Sequence, residues 1–250
     1  MKDWKPTKHL TGVLICVPAF GQTMSAHTAQ SLFNLCQFLT FKNIPNTMCW
    51  LSAADIAEVR NIVLTKWYDG HPEFSHLLFV DADMEFPVAL VADMLGFGKP
   101  LMGCLYARRQ WPATAVGRTF NQGSVDDIVD GFIKVAGVGC GVMMIARHVV
   151  RTMIDKMPEI LDSEISGHPG ADTLQESQSK RLIRAFDPFV DERGVKLSED
   201  LAFCERWRKC GGEVWANVNH LIGHIGPFNY AIRYADFLEN KAREAKQEAA

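Results

Sequence analysis

A single α/β domain, built on a mixed and mostly parallel central sheet flanked by helices, is the fold class that this chain predicts. Three observations carry it. Short apolar runs alternate with segments of helical periodicity through the first third of the chain. Those runs are apolar at nearly every position, as expected of strands buried on both faces. The 250 residues, 48% hydrophobic and 22% charged, suit one sizeable core, and no repeat or linker divides them.

The elements follow in order. "GVLICVP" (Gly12 to Pro18) is the first strand. After the "AFGQTM" loop, Ser25 to Phe41 is a helix with Leu32, Leu35, Cys36 and Leu39 at helical spacing. "TMCWL" is the second strand, and Ala54 to Tyr68 the second helix, with Ile56, Val59, Val63 and Leu64 on its inner side. "HLLFV" is the third strand, so a βαβαβ run is complete and a parallel sheet is implied. "VALVADML" is a short helix, "PLMGCLY" another strand, and Arg108 to Arg118 a loop with an edge strand. Three glycines within five positions of "VAGVGCGVMMIA" permit close backbone approach, to a ligand or to a neighbouring element. Residues 160–182 are polar and aperiodic, the composition of a mobile loop or lid. "LSEDLAFCERWRKCGG" is a helix with Ser198 as N-cap and Gly211 as stop. "EVWANV" is the last strand, and residues 227–250 form a helical tail on a core of about 12–226.

Composition excludes some classes. A net charge of −3 gives no general attraction to nucleic acid or anionic membrane, although a local basic groove stays open. Seven cysteines without a C-x-x-C pair read as small buried hydrophobes, so reduced thiols and a cytoplasmic location are expected. "MKDWKPTKHLTG" has no apolar signal core, and no run approaches the roughly 20 apolar residues of a membrane span.

The chemistry concentrates in a few places. "LLFVDADMEFP" drives a buried strand straight into Asp81, Asp83 and Glu85. Carboxylates at the carboxyl end of a strand lie where an open α/β sheet binds its ligands. Asp81 and Asp83, at i and i+2, can converge on one Mg²⁺ or Mn²⁺ ion. A solvated turn is the plainer reading. Glu199 and Asp200 open a helix, where the dipole favours acids; the functional alternative is a general base or a carboxylate beside a reacting carbon. His220 and His224 follow the last strand, and a neutral imidazole beside a metal site is a common ligand. Arg60 borders the apolar stripe of the second helix, within reach of a phosphate or base. Arg108 and Arg109 lie in a loop, either solvated or holding a phosphate or an acceptor.

The order "VPAFG", "EVRN", "LLFVDAD", "GVGCGVMMI", "SEDLAFCERWRKCGGEVW", "HIG" resembles the GT-A class of nucleotide-sugar glycosyltransferases, particularly small bacterial and phage enzymes. The resemblance spans roughly Gly12 to Gly226 and implies a Rossmann-like GT-A domain. It places Pro18, Ala19, Phe20 and Gly21 beside the nucleotide, with Arg60 reaching it. It puts a divalent metal on the donor diphosphate at Asp81-Ala82-Asp83, with His224 completing the site. It brings Glu199 and Asp200 to the acceptor. "VPAFG" departs from the pattern, since many relatives carry a polar or aromatic residue and then Asn there. The implied activity is metal-dependent transfer of a sugar from a nucleoside-diphosphate donor, UDP before GDP, to a hydroxyl acceptor. Inversion and retention stay open. So does the acceptor: saccharide, protein, small molecule or hydroxymethylated DNA base. Two rivals remain, a nucleotide-sugar-binding protein without turnover and a phosphatase-type hydrolase with an Asp nucleophile.

Overall fold

A computed structural model describes residues 5–6, 9–52, 55–111, 114–120, 123–163 and 179–248. The first part of the chain runs β1 (Val13–Pro18), α1 (Ala26–Phe41), β2 (Asn46–Leu51), α2 (Ile56–Thr65), β3 (His76–Val80), β4 (Met84–Glu85) and α3 (Val88–Phe97). Then follow β5 (Leu101–Cys104), β6 (Tyr106–Ala107), β7 (Ala115–Val116), β8 (Arg118–Thr119), β9 (Phe132–Gly137), β10 (Val142–Ala146) and α4 (Arg147–Lys156). Two short pairs, β11 (Leu161–Asp162) with β12 (Leu182–Ile183) and β13 (Phe189–Val190) with β14 (Lys196–Leu197), precede α5 (Glu199–Lys209). The chain closes with β15 (Val214–Asn217), β16 (Ile222–Ile225), β17 (Asn229–Ile232) and α6 (Tyr234–Glu248). Of the segment 160–182 expected as a lid, residues 164–178 lie outside the described residues.

The main sheet has eight strands in the order β2-β1-β3-β10-β5-β15-β9-β8. β9 and β10 run against the other six, so the sheet is mixed and mostly parallel. β1 shows why it is central. Val13, Ile15 and Val17 enter one apolar cluster with Leu32, Leu35 and Leu39 of α1. Leu14 and Cys16 enter the opposite cluster with Val63 and Leu64 of α2. Both faces are dry, which is what a run of six buried residues requires. α1 starts where expected, because the Ser25 hydroxyl accepts the Thr28 amide at 3.0 Å. α2 is shorter than its apolar pattern, ending at Thr65 in a π turn over Lys66–Gly70. α5 begins after Ser198 and ends before Gly211, whose φ of +89° suits glycine. The Ser198 side chain does not cap that helix.

The glycine cluster has a local cause. Tyr106 is buried at the carboxyl end of the sheet. A Cβ on Gly139 would lie 2.3 Å from its hydroxyl, and one on Gly141 would lie 2.6 Å from its Cζ. The Gly141 amide donates to that hydroxyl at 3.3 Å. Of the two sequence alternatives, close approach to a neighbouring element is the one present. Gly141→Ala is expected to lose about 1–3 kcal/mol of stability through overpacking, read from urea unfolding midpoints. Adding Tyr106→Leu should recover part of the loss, and a neutral single substitution would contradict this account.

Candidate functional site at the carboxyl edge of the sheet

β3 ends at Val80, and the next residues form a tight turn that presents the carboxylates. The Asp81 amide donates to the Gly141 carbonyl at 3.0 Å, and the Asp81 carbonyl accepts the Met84 amide. The Ala82 carbonyl accepts both the Ser25 amide at 2.8 Å and the Thr28 hydroxyl at 2.9 Å. The Asp83 carbonyl accepts the Ile225 amide at 2.7 Å. The turn is thus pinned on three sides, and its two side chains part company.

Asp81 faces inward. Its Oδ1 accepts from Arg60 Nη2 at 2.9 Å, and Arg60 Nε stands 3.6 Å from Glu199 Oε1. The Arg60 side chain is only 3% exposed and lies 5.4 Å from the Phe79 ring centre. Burial works to lower its pKa, but the neighbouring Cys140, Asp81 and Glu199 outweigh it and keep the guanidinium above the ordinary arginine range. Burial pushes the Glu199 carboxyl up, with Asp200 adding to the rise and Arg60 opposing it. Arg60 therefore joins the exit of β3 to the start of α5.

Asp83 faces a different set. Its Oδ2 is 3.1 Å from Arg109 Nη1 and 3.4 Å from His224 Nε2. Chain-distant pairing brings the histidine there, since β16 runs antiparallel to β4 with His224 opposite Met84. Its Nδ1 donates to the Ala107 carbonyl at 2.8 Å, and its ring meets Tyr106 edge-on at 5.3 Å. A carbonyl only accepts, so the Nδ1 proton is fixed and Nε2 is the atom turned to Asp83. Burial works to lower the His224 pKa, but the Asp83 bond and charge leave it raised. Burial likewise works to raise Asp83, but His224 and Arg109 leave it lowered.

Other sequence candidates fall as follows. The Ala19 amide donates to the Leu51 carbonyl at 3.0 Å; Phe20 is 77% exposed, and Gly21 takes a φ of +65° that favours glycine. This loop follows Pro18 at the same carboxyl edge, on the strand beside β3. Asp200 accepts from the Ser198 hydroxyl and, at 2.7 Å, from the Leu201 amide, so its carboxylate is engaged at the start of its own helix. His220 pairs with Asp93 at 2.7 Å and is not among the contacts of Asp83. Tyr106 has no signal as a site residue in the sequence, and Arg109, expected as solvated or as holding a phosphate or an acceptor, pairs with Asp83. A local reading of the Arg108–Arg109 loop shows no partner, because Asp83 is supplied by a distant turn. Among the described residues no group of three or more His, Cys, Asp or Glu side chains is placed to hold a metal ion. A cavity of about 600 Å³ adjoins the β6–β7 hairpin, lined by Leu105, Ala115, Gly117, Tyr234 and Phe237, but the site carboxylates do not line it.

No family model matches the chain, and no curated protein matches it. Solved structures do. A structure of GalNAc-T7 with UDP, GalNAc and Mn²⁺ is 10% identical and superposes with a TM-score of 0.51 over 90% of this chain. The fold is GT-A-like. The chain spans 44% of that structure's chain, so the GT-A-like core matches less than half of it. A structure of A197 from STIV is 16% identical, with a TM-score of 0.46 over 86% of each chain. A glycosyltransferase involved in glycosylating the major capsid of PBCV-1 is 8% identical, with a TM-score of 0.32 over 66% of this chain and 74% of its own.

The Asp83–His224 pair makes a pH prediction. A raised His224 stabilises the fold fully below its unfolded pKa, and that share is lost as pH rises through the folded value. The lowered Asp83 contributes above its unfolded pKa and loses its share only as pH falls through the folded value. From about pH 6 to about pH 9, the wild type should lose stability that His224→Gln does not lose. Urea midpoints at the two pH values check this, and parallel slopes for both proteins would contradict it.

Proposed function

We propose that the chain is a glycosyltransferase that moves a sugar from a nucleoside-diphosphate donor, with UDP the expected nucleotide, to a hydroxyl acceptor. One observation carries the reading: two adjoining clusters, Asp81 with Arg60 and Glu199 and Asp83 with His224, form from four separate segments at the carboxyl edge of a GT-A-like sheet. The GalNAc-T7 structure of that fold contains UDP, GalNAc and Mn²⁺. No helix among the described residues is long and apolar enough to cross a membrane.

Asp83 and His224 fit a divalent ion as two of its ligands, with the rest of its shell left to the donor. Asp83 Oδ2 and His224 Nε2 face each other with the histidine proton held on Nδ1, and Asp81 lies across the same turn. Oxygen donors with one imidazole suit Mn²⁺ or Mg²⁺. A bound ion supplies positive charge to a diphosphate leaving group, where negative charge develops in the transition state. Arg60, too buried to meet a ligand broadly, positions Asp81 and Glu199. The Pro18–Gly21 loop, open at Phe20, lines the nucleotide side. Asp200 acts at the reacting centre, as a base towards the acceptor hydroxyl or as a carboxylate steadying the anomeric carbon. The acceptor carries a hydroxyl, whether saccharide or hydroxymethylated base.

One observation favours a second reading. The Asp200 carboxylate is engaged by Ser198 and the Leu201 amide, which fits a protein that binds the nucleotide sugar without turnover. Asp200→Asn separates the two. Catalysis predicts a fall of about 100-fold or more in donor turnover with UDP and Mn²⁺ binding kept. A capping role predicts near-normal turnover and a loss of about 0.3–1 kcal/mol of stability. Asp83→Ala, melting near the wild-type temperature, should lose Mn²⁺-dependent hydrolysis of UDP-sugars. Turnover at the wild-type rate in that variant would remove the metal assignment.

A further inference from the structure

Each carboxylate of the Asp81–Asp83 turn carries an arginine, and the two arginines differ. Arg60, on Asp81, is 3% exposed and held among packed elements; Arg109, on Asp83, is 51% exposed. The backbone around Arg109 is fixed, with the Arg108 amide on the Thr114 carbonyl at 2.7 Å and the Gln110 amide on the Arg108 carbonyl at 2.8 Å. Its stem lies over Gly226, where a Cβ would come within 3.0 Å of Arg109 Cδ. The half-exposed guanidinium can therefore turn about its own side-chain bonds with these backbone bonds kept.

We infer that Arg109 occupies Asp83 in place of a divalent cation and, once displaced, becomes a ligand for the phosphate groups of the nucleotide. This deepens the metal-dependent reading above and rests on it. Arg109 Nη1 and His224 Nε2 approach the same atom, Asp83 Oδ2, at 3.1 and 3.4 Å. An ion shared by Asp83 and His224 needs the lone pairs of Oδ2 and Nε2, at roughly 2.0–2.2 Å from a carboxylate oxygen. A guanidinium nitrogen 3.1 Å from Oδ2 leaves no room there for an ion, and its charge repels one. The two cations compete. A displaced Arg109 stays within one side chain's reach of Asp83, where the oxygens of a metal-bound diphosphate would lie, and its planar fork suits phosphate. Arg109 thus exchanges a carboxylate for a phosphate, which makes ion and nucleotide binding mutually favourable. Arg60 takes no part in the exchange, because its burial leaves it nowhere to go.

Mn²⁺ binding to the full chain without nucleotide, followed by the electron paramagnetic resonance of the free ion, tests the first half. UDP titrated by calorimetry in saturating Mn²⁺ tests the second. Arg109→Met should bind Mn²⁺ tighter by on the order of tenfold and UDP weaker by a similar factor. Arg109→Lys, which keeps the charge, should bind Mn²⁺ much as the wild type does, and Arg108→Met should leave both affinities unchanged. Equal, measurable Mn²⁺ affinities for wild type and Arg109→Met would overturn the exchange and leave the proposed function standing. Tighter Mn²⁺ with unaltered UDP binding would overturn the phosphate assignment. Mn²⁺ binding by none of the proteins would overturn this inference and the metal-dependent reading together.

Discussion

The buried charge of Arg60 is the constraint on which the rest of the site depends. One guanidinium, sealed beneath the carboxyl edge of the sheet, faces Asp81 at the exit of β3 and Glu199 at the start of α5. An isolated charge at that depth is costly, and removing one partner of a buried pair is more damaging than the pair is stabilising. The cation therefore dictates that both acids stay near it. Arg147 gives the contrast within the same chain. Its guanidinium donates to the carbonyls of Trp67, Tyr68, His71 and Phe74, tying α4 to the turn after α2. Arg60 Nε and Nη1 have no hydrogen-bond partner among the described residues, and Arg147 Nε likewise has none.

Around that cation, the sheet performs the assembly. β3 is central, dry on both faces, and delivers Asp81 where its ladder with β10 ends. The small β17-β16-β4 sheet then folds back over the turn and carries His224 to Asp83. Tyr106 fills the space beneath, and Gly139 and Gly141 give it room. Each contact has a steric or electrostatic cause, and together they divide two neighbouring carboxylates between an inner, permanent cation and an outer, exchangeable one.

How much of this the sequence discloses follows from the range of each interaction. The strands of β1 and β3 are legible because double burial forces nearly unbroken apolar runs, and the carboxylate turn because Asp follows Val80 without transition. The GT-A resemblance rests on those local motifs, and the fold agrees with it. Partners set by tertiary contact are illegible in a local window. Arg109 looks like a solvated loop residue, yet its partner is a turn more than two strands earlier in the chain. Ser198 has the composition of an N-cap, but its hydroxyl is drawn to Asp200 instead. The glycine-rich stretch leaves ligand and neighbour equally open until Tyr106 is seen against it. α4, with one histidine and two arginines among its apolar positions, follows β10 so directly that the glycine-to-alanine stretch hides its start.

The central claim is that Asp83 and His224 together bind a divalent ion in a GT-A-like scaffold. The most direct measurement is pulsed electron paramagnetic resonance of the Mn²⁺-loaded protein with UDP. The account predicts a nitrogen coupling from a directly bound imidazole, present in the wild type and lost in His224→Gln, with Asp83→Ala losing the bound ion. Tightly bound Mn²⁺ that shows no nitrogen coupling, or one that persists unchanged in His224→Gln, would contradict it.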